Sequence, residues 1–288
     1  VLECYAGNAY CGFSKSPMEP EVYDVSTDMP IPGQKVVIYG KYLTNLTAVN
    51  LCGEIDIDIN TVETTEAMDK LTFTMPEQLP TAESNGILTV TTLGGRATLP
   101  FYRYDWIYED FDGNGTTIDW GWGTNNFGGN PAWGWPALPA SCPITMKSGN
   151  FAYFEAYTSW WDHNFLWNAK ATPEGIDPKT PLSKIELRYE VYLHELPTTA
   201  TTMTSTITVF KQEKAGIPIV DRATGETMPG QWMSVAVPLT EFAPSAATYA
   251  DICALNVGDG DFKIYLGYDN AGDFVIIAYD NFRLYVKE

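Results

Sequence analysis

The stretch "KIELRYEVYL", residues 184–193, alternates apolar and polar side chains along its length. Its apolar positions are Ile185, Leu187, Tyr189, Val191 and Leu193, and its polar positions include Glu186, Arg188 and Glu190. Successive side chains of a β-strand point to opposite faces of the sheet, so this period of two predicts a strand with one buried face. Glu186 and Glu190 are predicted to lie on its solvated face.

The same period recurs in "EIDIDIN" (54–60), "MSVAVPL" (233–239), "FKIYLGY" (262–268) and "FVIIAYDNFRLYV" (274–286). Glycine, proline, asparagine and aspartate, the residues that build turns, separate these stretches. No amphipathic helix of about twelve residues is found, and residues 238–252 are expected to hold one short helical turn at most. Many short strands with regular turn signals predict an all-β protein built of sandwiches or barrels.

Length and charge narrow the classes of function. A chain of 288 residues suits two domains, and it holds no apolar run of about 18 residues that could form a transmembrane helix. Its formal net charge of −19 argues against nucleic acid or an anionic membrane surface as a partner, and suits a neutral ligand or cations. The chain begins at Val1 without a basic and apolar leader, so any secretion signal is expected to have been removed or left out of this sequence.

The five cysteines are scattered along the chain, at Cys4, Cys11, Cys52, Cys142 and Cys253. No Cys-x-x-Cys or Cys/His spacing suggests a zinc site. Cys4 and Cys11 could pair, but buried free thiols are the expectation for the set.

The composition changes near residue 105. All nine tryptophans lie from Trp106 onward, and the residues before it are rich in Thr, Val and Ile. We therefore predict a lead-in segment at 1–19, one domain at 20–104 and a second domain at 105–288, with no flexible linker between the two domains.

Glycines and β-branched residues punctuate the first domain in a recognisable order. The pattern comprises Gly33, Val36, Ile38 and Gly40, and later Gly86, Val90, Thr92, Gly94 and Gly95. In this pattern residues 20–104 resemble the IPT/TIG immunoglobulin-like domain. The resemblance implies a β-sandwich that serves as a spacer or a dimerisation module, without catalysis.

The second domain opens with "YEDFDGNG" (108–115) and closes with "IIAYDNFRLYV" (276–286). These ends resemble those of jelly-roll carbohydrate-binding modules, whose first and last strands lie side by side. The order of the two domains resembles the surface glycan-binding proteins of Gram-negative polysaccharide-utilisation systems. The resemblance implies an immunoglobulin-like β-sandwich followed by a larger β-jelly-roll sandwich. It also implies a neutral polysaccharide partner of β-glucan or xyloglucan type, anchoring as an outer-membrane lipoprotein at the cell surface, and a glycan transporter complex as a further partner.

The stretch "YTSWWDHNFLWN", residues 157–168, is one of two aromatic concentrations. In an extended chain the adjacent Trp160 and Trp161 point to opposite sides, so only one of them can join a core. The other is predicted to form a platform for stacked sugar rings together with Trp133 or Trp135, which lie in a glycine-rich stretch upstream.

Polar residues directly follow the tryptophan pair. Asp162, His163 and Asn164 are expected to exchange hydrogen bonds with sugar hydroxyls, and a polar turn without a ligand is the alternative. Of the other tryptophans, Trp120, Trp122 and Trp167 are open to a binding or a core role, and Trp106 and Trp232 are expected to be structural.

Catalysis would require a recognisable constellation of acids or a metal. Glycoside hydrolysis needs two carboxylates across a cleft, and no acid of this chain sits in a signature for such a site. The two histidines, His163 and His194, lie on different predicted elements, which argues against a metal site or a catalytic triad. We therefore predict non-catalytic glycan binding, with a carbohydrate-active enzyme such as a glycoside hydrolase and a structural adhesin or assembly module as alternatives.

One carboxylate of the last strand is predicted to be buried. Asp280 shares the parity of the apolar residues Phe274, Ile276, Phe282 and Leu284. A buried carboxylate needs a partner. If the first and last strands pair, Asp110 and Asp112 lie beside Asp280, and these oxygens suit a structural Ca²⁺. A hydrogen bond to Asp280 from the backbone or from an arginine is the alternative.

Overall fold

The computed structural model describes residues 16–112, 118–119, 126–127, 142–144, 149–157, 164–169, 173–196, 203–256, 260–268 and 274–287. In this part of the chain nineteen β-strands form four antiparallel sheets, and there are two short α-helices. The predicted all-β class is confirmed.

Residues 21–100 form two four-stranded sheets, here called the N-terminal module. Its strands are β1 (Glu21–Val25), β2 (Lys35–Lys41), β3 (Leu46–Leu51), β4 (Ile55–Ile57), β5 (Glu63–Thr64), β6 (Lys70–Thr74), β7 (Ile87–Thr92) and β8 (Gly95–Pro100). One sheet has the order β1-β2-β6-β5 and the other β4-β3-β7-β8. Side chains from both sheets, such as Val36, Leu71, Val90 and Leu99, are buried in one core, as in an immunoglobulin-like sandwich.

Two glycines of the predicted pattern meet backbone requirements of this module. Gly33 has a φ of 85°, in the left-handed region that favours glycine. Gly40 lies in β2 so close to β1 that a Cβ atom would be 2.2 Å from the carbonyl oxygen of Glu21. A side chain at position 40 would push the two strands apart, so this glycine reflects the close approach of β1.

Residues 107–287 form a larger unit, here called the C-terminal domain. Its strands are β9 (Ile107–Glu109), β10 (Ile118–Asp119), β11 (Asn126–Phe127), β12 (Ala152–Tyr157), β13 (Asn164–Ala169), β14 (Ile185–Leu193), β15 (Met203–Val209), β16 (Gln212–Pro218), β17 (Trp232–Pro238), β18 (Gly260–Tyr268) and β19 (Phe274–Val286). The five-stranded sheet has the order β10-β13-β18-β15-β16. The six-stranded sheet has the order β11-β12-β19-β14-β17, with β9 also paired to β19. The first strand of this domain therefore lies beside the last, as the jelly-roll resemblance implies.

Aromatic side chains join the two sheets of the C-terminal domain. The rings of Tyr189 and Phe282, both in the six-stranded sheet, stack with centroids 4.9 Å apart. Phe262 of the five-stranded sheet meets Phe282 edge-on, also at 4.9 Å. These contacts place Phe282 at the centre of a core that both sheets share.

Two short helices follow β17, where at most one helical turn was expected. They are α1 (Leu239–Phe242) and α2 (Tyr249–Leu255). The side chain of Thr248 and the side chain of Asp251 cap the start of α2 reciprocally, which explains why so short a helix begins there. Among the described residues, no helix has the length and apolar character needed to cross a membrane.

Three of the cysteines, Cys52, Cys142 and Cys253, lie in the described residues. Cys52 is buried in the N-terminal module, and this burial raises the pKa of its thiol to about 11. Cys142 and Cys253 are half-buried. Cys4 and Cys11 lie outside the described residues, so their pairing stays open.

A bulge in β19 changes which side chains face the core. Between the pairs Arg188↔Arg283 and Glu190↔Asp280, β19 holds one residue more than β14, and Asn281 has a φ of 51°. Ile277 and Tyr279 before the bulge and Phe282 after it all face the C-terminal core. Asp280 keeps the parity of Ile276 and is buried as predicted, at 1% exposure. The expectation is wrong for Phe282 and Leu284, which lie on the other face because the extra residue reverses the alternation after Asp280.

Candidate functional site

The outer face of the six-stranded sheet is the face that points away from the C-terminal core. One row of residues crosses it, each directly opposite the next in the register: Tyr153, Ala278, Tyr192 and Trp232. Opposed residues on one face of a sheet are in contact distance. The register therefore brings Tyr192 of β14 and Trp232 of the edge strand β17 together on this face.

Three half-buried side chains, Tyr192, His194 and Trp232, form what we call the aromatic patch. The ring centroids of Tyr192 and Trp232 are 5.7 Å apart and the ring planes meet at 60°. The ring of His194 is nearly parallel to that of Tyr192, at 19° and 6.5 Å. The buried Phe151 meets Trp232 edge-on at 5.7 Å. The aromatic patch is thus supported from within the protein while part of each ring stays accessible.

Tyr192 and Trp232 of the aromatic patch carry no charge. Burial, with a smaller contribution from Cys142, raises the pKa of Tyr192 and keeps its phenol neutral. The Nδ1 atom of His194 is buried and has no hydrogen-bond partner among the described residues. Its Nε2 atom lies 3.8 Å from Oε1 of the exposed Glu195. The arrangement offers flat apolar faces together with a ring nitrogen that can hydrogen-bond, which is the chemistry that a sugar ring requires.

The N-terminal module closes the other half of the outer face through what we call the interdomain cluster. Its members are Asp24 and Asp28 of the module and Glu186, Arg188, Glu190, Arg222, Arg283 and Lys287 of the C-terminal domain. Arg188 Nη2 donates to Asp24 Oδ1 at 2.8 Å. Arg283 Nη1 donates to Glu190 Oε2 at 2.6 Å. The two domains are therefore joined by buried, paired charges.

The prediction that Glu186 and Glu190 lie on a solvated face is wrong. Both point away from the C-terminal core, as the alternation predicts, but they are 5% and 0% exposed because the N-terminal module covers them. Oε1 of Glu190 accepts hydrogen bonds from Thr27 Oγ1 at 2.9 Å and from Ser234 Oγ at 3.0 Å. Oε2 of Glu186 accepts a hydrogen bond from Arg188 Nη2 at 2.9 Å.

Charge compensation sets the ionisation of the interdomain cluster. Burial alone would raise the pKa of Asp28, but the charges of Arg283 and Arg188 outweigh burial and lower it. The pKa of Asp24 is lowered in the same way, against its burial, by Arg188 and Arg222. For Asp24 and Asp28 the arginines stabilise the ionised form, so these carboxylates are committed to the contact between the domains.

Most of the predicted glycan-binding residues lie outside the described residues, namely Trp133, Trp135, Trp160, Trp161, Asp162 and His163, and with them Trp120 and Trp122. Asn164 is the first residue of β13, in the five-stranded sheet, and Tyr157 is the last residue of β12, in the six-stranded sheet. The predicted tryptophan platform stays a prediction.

Two other tryptophans were expected to be structural. Trp106 is 6% exposed, and the guanidinium of Arg103 lies 4.3 Å from its ring centroid. Trp232 packs against Phe151 and Tyr192 but is only half-buried. No signal in the sequence showed that Trp106 is buried and Trp232 is partly exposed, since the exposure of Trp232 depends on the position of β17 at the edge of its sheet.

The three predicted calcium ligands accept hydrogen bonds from the backbone. Oδ1 of Asp110 accepts from the N–H of Asp112 at 3.0 Å, and Oδ1 of Asp112 accepts from the N–H of Asn150 at 2.7 Å. Oδ1 of Asp280 accepts from the N–H of Asn281 at 2.8 Å, which is the backbone alternative. In the described part of the chain, no group of three or more His, Cys, Asp or Glu residues could hold a metal ion. These contacts do not assemble a calcium site, and calcium stays a prediction from the sequence.

Comparisons with known proteins relate this geometry to a family. The family described as the surface glycan-binding protein B xyloglucan binding domain matches residues 102–286. An IPT/TIG domain-containing protein of Bacteroides ovatus is 29% identical over 294 residues, which cover 100% of this chain and 57% of that protein. The chain thus spans little more than half the length of this relative.

Solved structures show the same fold. A crystal structure with a xylogluco-oligosaccharide is similar at a TM-score of 0.72 and 25% identity, over 96% of this chain and 59% of that chain. A surface glycan-binding protein B from a complex xyloglucan utilization locus in Bacteroides uniformis has a TM-score of 0.70 and 24% identity, over 99% of this chain and 78% of that chain. At 24% identity, the similarity to the Bacteroides uniformis protein shows a shared fold alone.

Proposed function

Because the chain belongs to the surface glycan-binding protein B family, whose xyloglucan-binding domain matches residues 102–286, we propose that it binds a neutral polysaccharide at the cell surface without cleaving it. The observation that carries the proposal is the position of this match. It covers the part of the chain that holds all nine tryptophans. Membership of a surface glycan-binding family implies the cell surface, and anchoring as an outer-membrane lipoprotein beside a glycan transporter is our finer proposal.

The binding chemistry that we propose is stacking of sugar rings on aromatic side chains. A sugar ring on an indole removes on the order of 100 Å² of apolar surface from water, which gives about 2.5 kcal/mol before the cost of immobilising the sugar. The predicted platform residues Trp160 or Trp161, with Trp133 or Trp135, would supply these faces. Xyloglucan is the first ligand to test, since a structure similar to this chain contains a xylogluco-oligosaccharide.

Charge supports a neutral ligand. The protein has a formal net charge of −19, which repels acidic polysaccharides. The charged side chains on the outer face of the six-stranded sheet, such as Arg188 and Arg283, are fully buried in the interdomain cluster and already paired. They are therefore poor candidates for binding an acidic sugar.

Absence of catalysis is part of the proposal. The buried carboxylates of Asp24, Asp28, Glu186 and Glu190 pair with arginines and thus lack the free acid and base that glycoside hydrolysis needs. Incubation with xyloglucan followed by an assay for new reducing ends separates a binder from a glycoside hydrolase. Affinity electrophoresis in gels loaded with xyloglucan separates a binder, which is retarded, from a structural adhesin, which is not.

A structural calcium ion is a separate proposal, supported by the sequence pattern of Asp110, Asp112 and Asp280 alone. Removal of bound calcium by a chelator is expected to lower the melting temperature, and elemental analysis of the purified protein is expected to detect the metal. An unchanged melting temperature together with the absence of metal would refute it.

A further inference from the structure

We infer that the aromatic patch of Tyr192, His194 and Trp232 is a second contact surface for the glycan. The ligand that it fits is a neutral sugar chain. The inference rests on the proposed function, from which it takes the class of ligand. It adds a location on the six-stranded sheet.

The division of the outer face is the first support for this inference. One half of the face holds charged residues, and the N-terminal module covers them. The other half holds Tyr192 and Trp232 with the apolar, half-buried neighbours Cys142 and Ile276. An aromatic surface beside a closed, charged one is suited to a ligand that presents apolar C–H faces.

The ring geometry is the second support. The planes of Tyr192 and Trp232 meet at 60°, so the two rings form a corner instead of one flat platform. A sugar ring stacked on the indole is bordered by the phenol, whose hydroxyl can donate or accept a hydrogen bond. Phe151 supports the indole from the buried side, so the corner is preformed and little side-chain entropy is lost on binding.

A hydrogen-bonding group at the aromatic patch is the third support. The side chain of His194 is 34% exposed, and its backbone N–H is held by the carbonyl of Ile276 at 3.0 Å. Its Nε2 atom, which lies 3.8 Å from Oε1 of Glu195, can exchange a hydrogen bond with a hydroxyl of a bound sugar at a fixed point of the patch.

The test compares variants of the patch by calorimetric titration with xyloglucan polysaccharide and with its short oligosaccharide fragments. Trp232→Ala removes the stacking face, and His194→Phe keeps the aromatic ring but removes both ring nitrogens. Tyr23→Ala is the matched control, since Tyr23 is an exposed aromatic residue of the N-terminal module, 46% exposed. Thermal unfolding and light scattering of each variant report folding and oligomeric state.

We expect Trp232→Ala to weaken polysaccharide binding about tenfold and His194→Phe to weaken it a few fold, with a smaller effect for the shortest fragments. Tyr23→Ala should bind as the wild type does. If Trp232→Ala and His194→Phe both fold and bind the polysaccharide as tightly as the wild type does, the inference is overturned and the proposed function stays intact. If the variants change the oligomeric state of the protein and leave its glycan affinity unchanged, the inference is also overturned. The patch would then be a contact surface for a second copy of this chain. A wild type that binds no xyloglucan overturns the proposed function and the inference together.

Discussion

Arg283 Nη2 lies 2.9 Å from Oδ1 of Asp28, although the two residues are 255 positions apart. Asp28 follows the first strand of the N-terminal module, and Arg283 lies in the last strand of the C-terminal domain. Both side chains are almost fully buried, at 0% exposure for Arg283 and 3% for Asp28. A residue near the start of the N-terminal module therefore joins it to the last strand of the C-terminal domain.

Removal of Arg283 should destabilise the protein strongly. Arg283→Met keeps most of the side-chain volume but leaves Glu190 buried without a cation and Asp28 with Arg188 alone. Breaking a buried pair in this way costs about 3–5 kcal/mol. Denaturant unfolding of the variant and the wild type measures the difference. Lys41→Met is the control, because Lys41 and its partner Glu21 are 61% and 58% exposed and 3.7 Å apart. Equal unfolding free energies for the two variants would show that the interdomain cluster does not stabilise the fold.

Because of Glu109, the free energy of unfolding should decrease as the pH rises from mildly acidic to mildly basic. Burial, aided by the charges of Asp110 and Asp112, raises the pKa of Glu109 to about 8. The folded state therefore favours the protonated form. Its contribution is fully present below the unfolded pKa of about 4.3 and is lost as the pH rises to the folded value.

The variant Glu109→Gln isolates this contribution. Glutamine keeps an oxygen that can accept the hydrogen bond from the N–H of Phe111, which Glu109 now accepts at 2.6 Å, and it cannot ionise. Between pH 5 and pH 8 the wild type should lose on the order of 3 kcal/mol relative to the variant. Parallel pH profiles of the two proteins in urea unfolding would mean that Glu109 is ionised in the folded state.

The alternation of residues 184–193 predicted the strand β14 and the residues of its core face correctly. It could not predict the fate of Glu186 and Glu190, because a polar face is solvated only if no other part of the chain covers it. The residues that cover them, such as Thr27 and Asp28, are more than 150 positions away, and their contact is a product of the tertiary fold. Arg188, placed between the two acids, gave the only local hint of a paired cluster.

The bulge in β19 marks another limit of prediction from periodicity. A period of two assigns faces only while each residue of one strand opposes one residue of the next. The left-handed backbone of Asn281 breaks that count. Asparagine tolerates this conformation better than most residues do, so the sequence "YDNF" contained a weak signal for the bulge. The rings of Tyr192 and Trp232 were missed for a similar reason, since their contact depends on the pairing of β14 with β17.

The tryptophan pair should separate into a folding residue and a binding residue. Of Trp160→Ala and Trp161→Ala, one variant should fold normally and bind glycan about tenfold more weakly, because a stacking face is lost. The other should lose about 3–5 kcal/mol of unfolding free energy, because a buried indole leaves a cavity. Thermal unfolding and affinity electrophoresis of both variants make the comparison. Full stability and full affinity in both would place the platform elsewhere.

Capture without cleavage is the central claim, and calorimetric titration of the wild type with xyloglucan polysaccharide, followed by sizing of the recovered polymer, tests it most directly. We predict saturable binding and a polymer of unchanged length. Either the absence of binding or the appearance of shortened chains would contradict the account.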